Sequence, residues 1–281
     1  MATETTTTSA QAWSPDVIAF PPADAVPDAL IVQAATNAGV VEGDAPSVRV
    51  PYVDDAEAQV TAEGAPIPEA DPELNEVTAH TAKVTQLIRV SREQFVQPNA
   101  ADQLAQSARR AVTRKADQLF VAAAAPVAPA VAPVAGLINQ AGITEAAAPV
   151  GGSLDGLVDL VAVLESNGAT PTLIVVDPIA WAELQKLKTA TESNQSLIGA
   201  GTTAAQKMLL SLPVLVNSAV PTASGLVIDK TQVIAALGPV NVATSDQAYF
   251  ASDSVGVRVT FRFGFALPRP ERIGAFEVVA A

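Results

Sequence analysis

The longest alternation of apolar and polar positions lies in Asp253–Glu271, DSVGVRVTFRFGFALPRPE. Val255, Val257, Val259, Phe261, Phe263, Phe265 and Leu267 take every second position, with Gly256, Arg258, Thr260, Arg262, Gly264 and Ala266 between them. This is the period of a strand with one dry and one polar face, and it sets Arg258 and Arg262 on the same polar side. Ser47–Val53 and Val77–Val90 read as two more strands, the second with Val77, Ala79, Thr81, Lys83, Thr85, Leu87 and Arg89 on one side. Between them runs DDAEAQVTAEGAPIPEADPELNE, an acidic tip stiffened by Pro66, Pro68 and Pro72, without apolar residues to anchor it to its own chain. A two-stranded excursion of this kind is unstable alone and needs another surface to lie on.

The period then changes. Leu104, Ala108, Val112, Ala116 and Leu119 form the stripe of an amphipathic helix, with Asn99 as the expected N-cap and an end near Ala125. Arg109, Arg110, Arg114 and Lys115 lie mostly off that stripe and form the densest basic cluster of the chain. The cluster reads either as a solvated face or as a contact. After Pro126, Pro129 and Pro133 comes an α/β unit, GGSLDGLVDLVAVLESNGATPTLIVVDPIAWAELQKLK. Ser153 is expected to cap a helix with Leu154, Leu157, Val158, Val161 and Leu164 inward, ending near Asn167–Gly168. Thr172–Val176 reads as a short buried strand. Asp177 caps the next helix, Pro178 takes its first turn, and Trp181, Leu184 and Leu187 face the core. LPVLVNSAVPTASGLVIDKTQVIAAL adds two short strands around a Pro221–Gly225 turn, and the chain from Val240 onward is β. Residues 1–45 read as an arm punctuated by prolines. It is either a disordered tail or is docked through Val17–Phe20 and Leu30–Val32, with a short helix over Pro27–Ala35.

Composition narrows the function classes. The chain has 281 residues, enough for one large or two small domains, and its hydrophobic content of 49% excludes disorder over most of its length. Aromatics supply only 4%, which leaves few anchors for a ligand pocket. A net charge of −13 is the reverse of what a free nucleic-acid binder carries. There is no cysteine and a single histidine, His80, so disulfides, thiolate metal sites and histidine-rich metal sites are excluded. The polar N-terminus lacks the basic and apolar regions of a signal peptide. Leu119–Ile138 is uncharged and has the length of a membrane span, but its three prolines break a helix, and it reads as a helix end running into a stiff linker.

Chemistry has little to stand on. Gly199–Ala200–Gly201 lacks the lysine and preceding strand of a phosphate loop. Asp54, Asp55 and Glu57 lack the ligand spacing of an EF-hand and read as a solvated tip. His80 stands among threonines on a strand and reads as a surface residue. The expectation is a non-enzymatic protein with no catalytic residue, no cofactor and no metal.

The order of the elements carries more than any motif. LIRVSREQFVQPNAADQLAQSARRAVTRKADQLF, TPTLIVVDPIAWAELQKLK, LLSLPVLVNSAVPTASGLVIDKTQVIAAL and VNVATSDQAYFASDSVGVRVTFRFGFALPRPERIGAF follow one another after an arm and a long excursion. Over residues 40–281 this resembles the HK97-fold major capsid proteins of tailed bacteriophages. The resemblance implies an α+β fold with an N-terminal arm (1–45), an extended β-loop (46–90), a peripheral domain with a long spine helix (91–136 and 237–281) and an α/β axial domain (137–236).

It also implies a structural subunit that self-assembles, as hexamers and pentamers, into an icosahedral shell around double-stranded DNA. Such a shell is built in the host bacterial cytoplasm and becomes the virion capsid. Its partners would be other copies of the chain, a portal, a separate scaffolding protein, a possible decoration protein and DNA held without sequence specificity, with no membrane. The arm begins almost at Met1, so scaffolding is a separate protein or is not needed. The acidic residues Asp54, Asp55, Glu57, Glu63, Glu69, Asp71 and Glu73 and the basic Arg258 and Arg262 are the candidate contacts between subunits. Arg258 and Arg262 have an alternative, pairing with carboxylates of their own chain. Arg109, Arg110 and Arg114 are candidates for a basic inner surface. Some relatives join subunits by a lysine–asparagine bond, but Val48–His80 contains no lysine. Two other readings remain: an encapsulin-like compartment shell and an Ala/Pro-rich surface interaction protein.

Overall fold

The computed structural model describes residues 17–41, 47–54, 58–64, 67, 69, 72–97, 100–189, 193–198 and 207–279. The chain opens with β1 (Val17–Phe20), α1 (Pro22–Ala25), α2 (Leu30–Ala34) and β2 (Thr36–Val40). The hairpin β3 (Ser47–Asp54) and β4 (Glu73–Ser91) follows, then the single turn α3 (Arg92–Phe95) and the long α4 (Ala100–Ala122). The middle of the chain forms β5 (Thr144–Glu145), α5 (Asp155–Ser166), β6 (Leu173–Val176), α6 (Pro178–Lys186), β7 (Met208–Leu209), β8 (Leu212–Val216) and β9 (Ser224–Ile228). The last strands are β10 (Ile234–Leu237), β11 (Val240–Tyr249), β12 (Ser254–Ala266) and β13 (Gly274–Glu277).

Two sheets divide these strands. The first runs β1-β11-β12-β10-β2, with β4 also on β12 and β3 on β4. The second runs β5-β13-β9-β6-β8-β7. The alternation in β12 is realised in full at its dry positions: Val255, Val257, Val259, Phe261, Phe263 and Phe265 are buried. They form one core with Ala108, Val112, Ala116 and Phe120 of α4, and Phe120 meets Phe265 edge to face at 5.0 Å. Phe120 rather than Leu119 closes the helical stripe, because it is the fully buried one of the pair while Leu119 is partly exposed.

The middle strands of the second sheet, β9 and β6, are buried on both faces, so β6 reads as an unbroken apolar run, LIVV. Leu173 and Val175 join the α4 core, whereas Ile174 and Val176 face Leu157, Leu164, Trp181 and Leu184 of α5 and α6. The two sheets therefore share a core.

Several expectations are corrected. In α5 the inward residue is Leu160, and Val158 is 47% exposed, because the buried face follows Leu157, Leu160 and Leu164. Ser153 does not cap α5: the N-cap is Leu154 with no side-chain bond, although Ser153 Oγ accepts a 3.4 Å bond from the Asp155 N–H. Asp177 does cap α6, taking the N–H groups of Ile179 and Ala180. Helix α4 ends at Ala122, not Ala125, because the linker returns to it: Gly136 N–H and Asn139 Nδ2 donate to the Ala123 carbonyl at 2.8 and 2.9 Å. Its expected cap, Asn99, lies outside the described residues. Among the described residues no helix is long and apolar enough to cross a membrane.

Of the two readings of the arm, the structure has the docked one. β1 pairs with β11, α2 buries Leu30, Ile31 and Ala34, and β2 pairs in parallel with β10. β10, which starts at Ile234, lies in the first sheet, and β13, near the C-terminal end, lies in the second, paired with β9. The chain thus passes from the first sheet to the second, back to the first and again to the second.

Candidate functional site

The longest exposed feature is the β3–β4 hairpin. Its register runs from Ser47 opposite His80 to Asp54 opposite Glu73. Thr81–Ser91 of β4 instead pairs with Ser254–Gly264 of β12. At the changeover a Cβ on Gly264 would lie 2.9 Å from the Thr81 Cα and overlap the His80 carbonyl, so only glycine fits. At the far end Arg269 locks the hairpin. Its Nη2 donates to Asp54 Oδ1 at 2.9 Å and to the Val53 carbonyl at 2.7 Å, and its guanidinium sits 5.7 Å from the Tyr52 ring centre. Asn75 Nδ2 donates to the other oxygen, Asp54 Oδ2, at 2.8 Å.

Asp54, expected to face a neighbouring subunit, therefore has both carboxylate oxygens engaged within its own chain. Glu63, Glu69 and Glu73 are exposed, and Asp55, Glu57 and Asp71 lie outside the described residues. The tip is also less polar than expected. Val60 is 104% exposed, Ile67 83% and Leu74 81%, so it carries large aliphatic groups that turn away from its own chain.

The polar face of β12 is a basic plate shared with β4. Arg262 stands directly opposite Lys83, Thr260 opposite Thr85, Arg258 opposite Leu87 and Gly256 opposite Arg89. Like charges opposed across a strand pair are destabilising unless something compensates. Arg262 donates to Thr81 Oγ1 at 3.2 Å, and Arg89 stacks on Tyr249 at 5.0 Å. Arg258 is exposed. Among the described residues neither Arg258 nor Arg262 pairs with a carboxylate of its own chain. At the end of the plate Arg92 bonds Asp253 at 2.7 Å, and that contact raises the Arg92 pKa further.

On the opposite side of this sheet, α4 exposes Arg109, Arg110 and Arg114. Next to them is a buried acid that sequence reasoning missed. Asp117 Oδ1 accepts the Leu30 N–H at 2.8 Å, supplying the cap that α2 lacks, and Oδ2 accepts Asn217 Nδ2 at 2.8 Å. Burial pushes the Asp117 carboxyl above its ordinary value, and nearby Asp28 adds to the shift, while the two hydrogen bonds oppose it. The one sequence signal was an acidic residue beside Ala116, at the edge of the apolar stripe. Among the described residues no group of three or more His, Asp or Glu side chains is placed to hold a metal ion.

A family model described as the phage capsid family matches residues 30–278. Solved structures with the same fold include a chain from Mycobacterium phage Adephagia (TM-score 0.68, 16% identity, covering 90% of this chain and 91% of that one). A chain from Microbacterium phage Oxtober96 has a TM-score of 0.69 and 12% identity, covering 99% of this chain and 96% of that one. A chain described as the capsid of a native GTA particle has a TM-score of 0.66 and 18% identity, covering 100% and 96%. Among curated proteins none matches the chain.

Proposed function

The chain belongs to the phage capsid family and is a capsid shell protein, and from that premise we propose that its copies assemble as hexamers and pentamers into an icosahedral shell around double-stranded DNA. The observation that supports this most is the hairpin tip. Val60, Ile67 and Leu74 are large aliphatic groups left in water at 104%, 83% and 81% exposure on a connection that also carries Glu63 and Glu69. Exposed apolar groups with no cover in their own chain mark a contact surface. The basic plate of Lys83, Arg258 and Arg262 complements the acidic groups of the tip, and such pairing sets register more than affinity. In this reading Glu63, Glu69 and Glu73 meet Arg258 and Arg262 of a neighbour, and Asp55, Glu57 and Asp71 belong to the same contact. Each contact is modest, and closure of the shell multiplies it.

Shells form in the host bacterial cytoplasm with a portal and a separate scaffolding protein, and a decoration protein is a further possible partner. Packaged DNA meets the inner wall without sequence specificity, since the net charge of −13 limits the contact to local patches such as Arg109, Arg110 and Arg114. Negative-stain microscopy of the purified protein tests the reading. Closed particles with five- and six-fold clusters support it, and a protein that stays monomeric under every assembly condition overturns it.

A further inference from the structure

Two hollows lie beside successive turns of α4. The first is an apolar groove of about 340 Å³ whose walls include Phe95, Leu104, Val112, Val242 and Val257. The second is a polar cleft of about 360 Å³ whose walls include Arg110, Thr113, Arg114, Asn217 and Ser218. Arg109 lines both, and a ligand passing over this side chain would span the two as one channel. The segment around α1 and α2 closes the other side, with Asp24 at the groove and Asp28 at the cleft. From Leu104 to Asp117 the helix rises about 20 Å, a distance that about six extended residues cover.

We propose that this channel docks an acidic peptide segment of a separate partner protein, with its apolar residues in the groove and its carboxylates on Arg109, Arg110 and Arg114. The three arginines make no ion pair with any described residue. In a chain of net charge −13 they sit together on one concave wall, suited to bidentate guanidinium–carboxylate bonds. Packaged DNA, which the reading above brings to these arginines without specificity, fits the channel itself less well. Its backbone is uniformly anionic, and a duplex keeps its bases stacked inside and has no aliphatic group to place in the apolar groove. A peptide supplies both characters, and its N–H groups are donors for Asp28.

A neighbour's hairpin tip is also acidic and apolar, but in the reading above it is already placed. The tip meets the polar face of β12, whereas the channel is walled by Val257 and Val259 on the dry face of that strand. The choice of occupant rests on that reading. Unlike the shell itself, peptide docking does not require particles to form.

Fluorescence anisotropy at low salt tests the proposal with a labelled eight-residue probe, two leucines followed by Ser-Gly-Ser and three glutamates. Saturable binding is expected, at least tenfold weaker when the glutamates are replaced by glutamines. The exposed double variant Arg110→Glu, Arg114→Glu should weaken the acidic probe at least tenfold, and Ala105→Gln, at the groove, several-fold. The glutamine probe on the unchanged protein keeps the test valid if a variant misfolds. Equal binding of acidic and neutral probes overturns the proposal. So does stronger competition from a 20-base-pair duplex, from a peptide of residues 1–16 or from a peptide of residues 55–74. Failure of the shell reading would show separately, as an absence of particles in the microscope.

Discussion

The Asp117 carboxylate accepts a 2.8 Å hydrogen bond from Asn217 Nδ2, joining α4 to the end of β8 in the second sheet. Its other oxygen holds the first N–H of α2, so one buried side chain ties together the N-terminal segment, the long helix and the second sheet. Asp117→Ala leaves one buried and one half-buried donor without partners, and a loss of about 2–3 kcal/mol is expected. A urea titration of the variant against the parent checks this, and an unchanged midpoint would contradict the account.

The same carboxyl gives a pH signature. Its folded pKa is raised, chiefly by burial, so the folded state binds the proton more readily than the unfolded chain. Stability from this group therefore rises as pH falls from neutral through the raised folded pKa toward the ordinary aspartate value. Asp117→Asn does not titrate, so the parent should gain stability relative to that variant over this window. Paired melts at several pH values measure the difference, and a constant difference would exclude the assignment.

Arg269 fixes the hairpin from outside the strand pair. Its partner Asp54 is half exposed, so Arg269→Ala should cost only about 1 kcal/mol of global stability. The local effect is larger: amide exchange over Tyr52–Asp54 and Glu73–Asn75 should accelerate while the β4–β12 pairs stay protected. Unchanged exchange over the hairpin would show that it stands without the arginine.

Deletion of Ala56–Leu74 removes the exposed aliphatic groups and leaves Arg269, Asp54 and the β4–β12 pairing in place. A soluble subunit with unchanged far-UV spectrum and no shells is the expected result. Normal particles from this variant would remove the tip from the contact.

Cohesion without covalent bonds is expected from the position of Lys83. It is the first lysine after the hairpin tip and stands in register opposite Arg262, within the first sheet rather than on the excursion. Boiled particles on a denaturing gel should run as one band at 28.7 kDa. A ladder of five- and six-chain species would overturn this expectation.

Periodicity alone determined much of this protein. The period of two in β12, the stripe of α4, the LIVV run of β6 and the Asp177–Pro178 start of α6 are each set within a few residues, because backbone geometry dictates which side chains share a face. The long excursion was legible for the same reason, and the fold class through the resemblance carried by the order of the elements. The pairings between distant segments were not. β2 on β10, β13 in the second sheet, Arg269 on Asp54 and Asp117 between Leu30 and Asn217 join residues that share no local pattern. Only the folded chain decides which acids are spent internally, as Asp54 and Asp117 are, and which stay on the surface, as Glu63 and Glu69 do. A carboxylate has the same sequence signature in both settings. What separates them is whether a buried donor from another part of the chain reaches it.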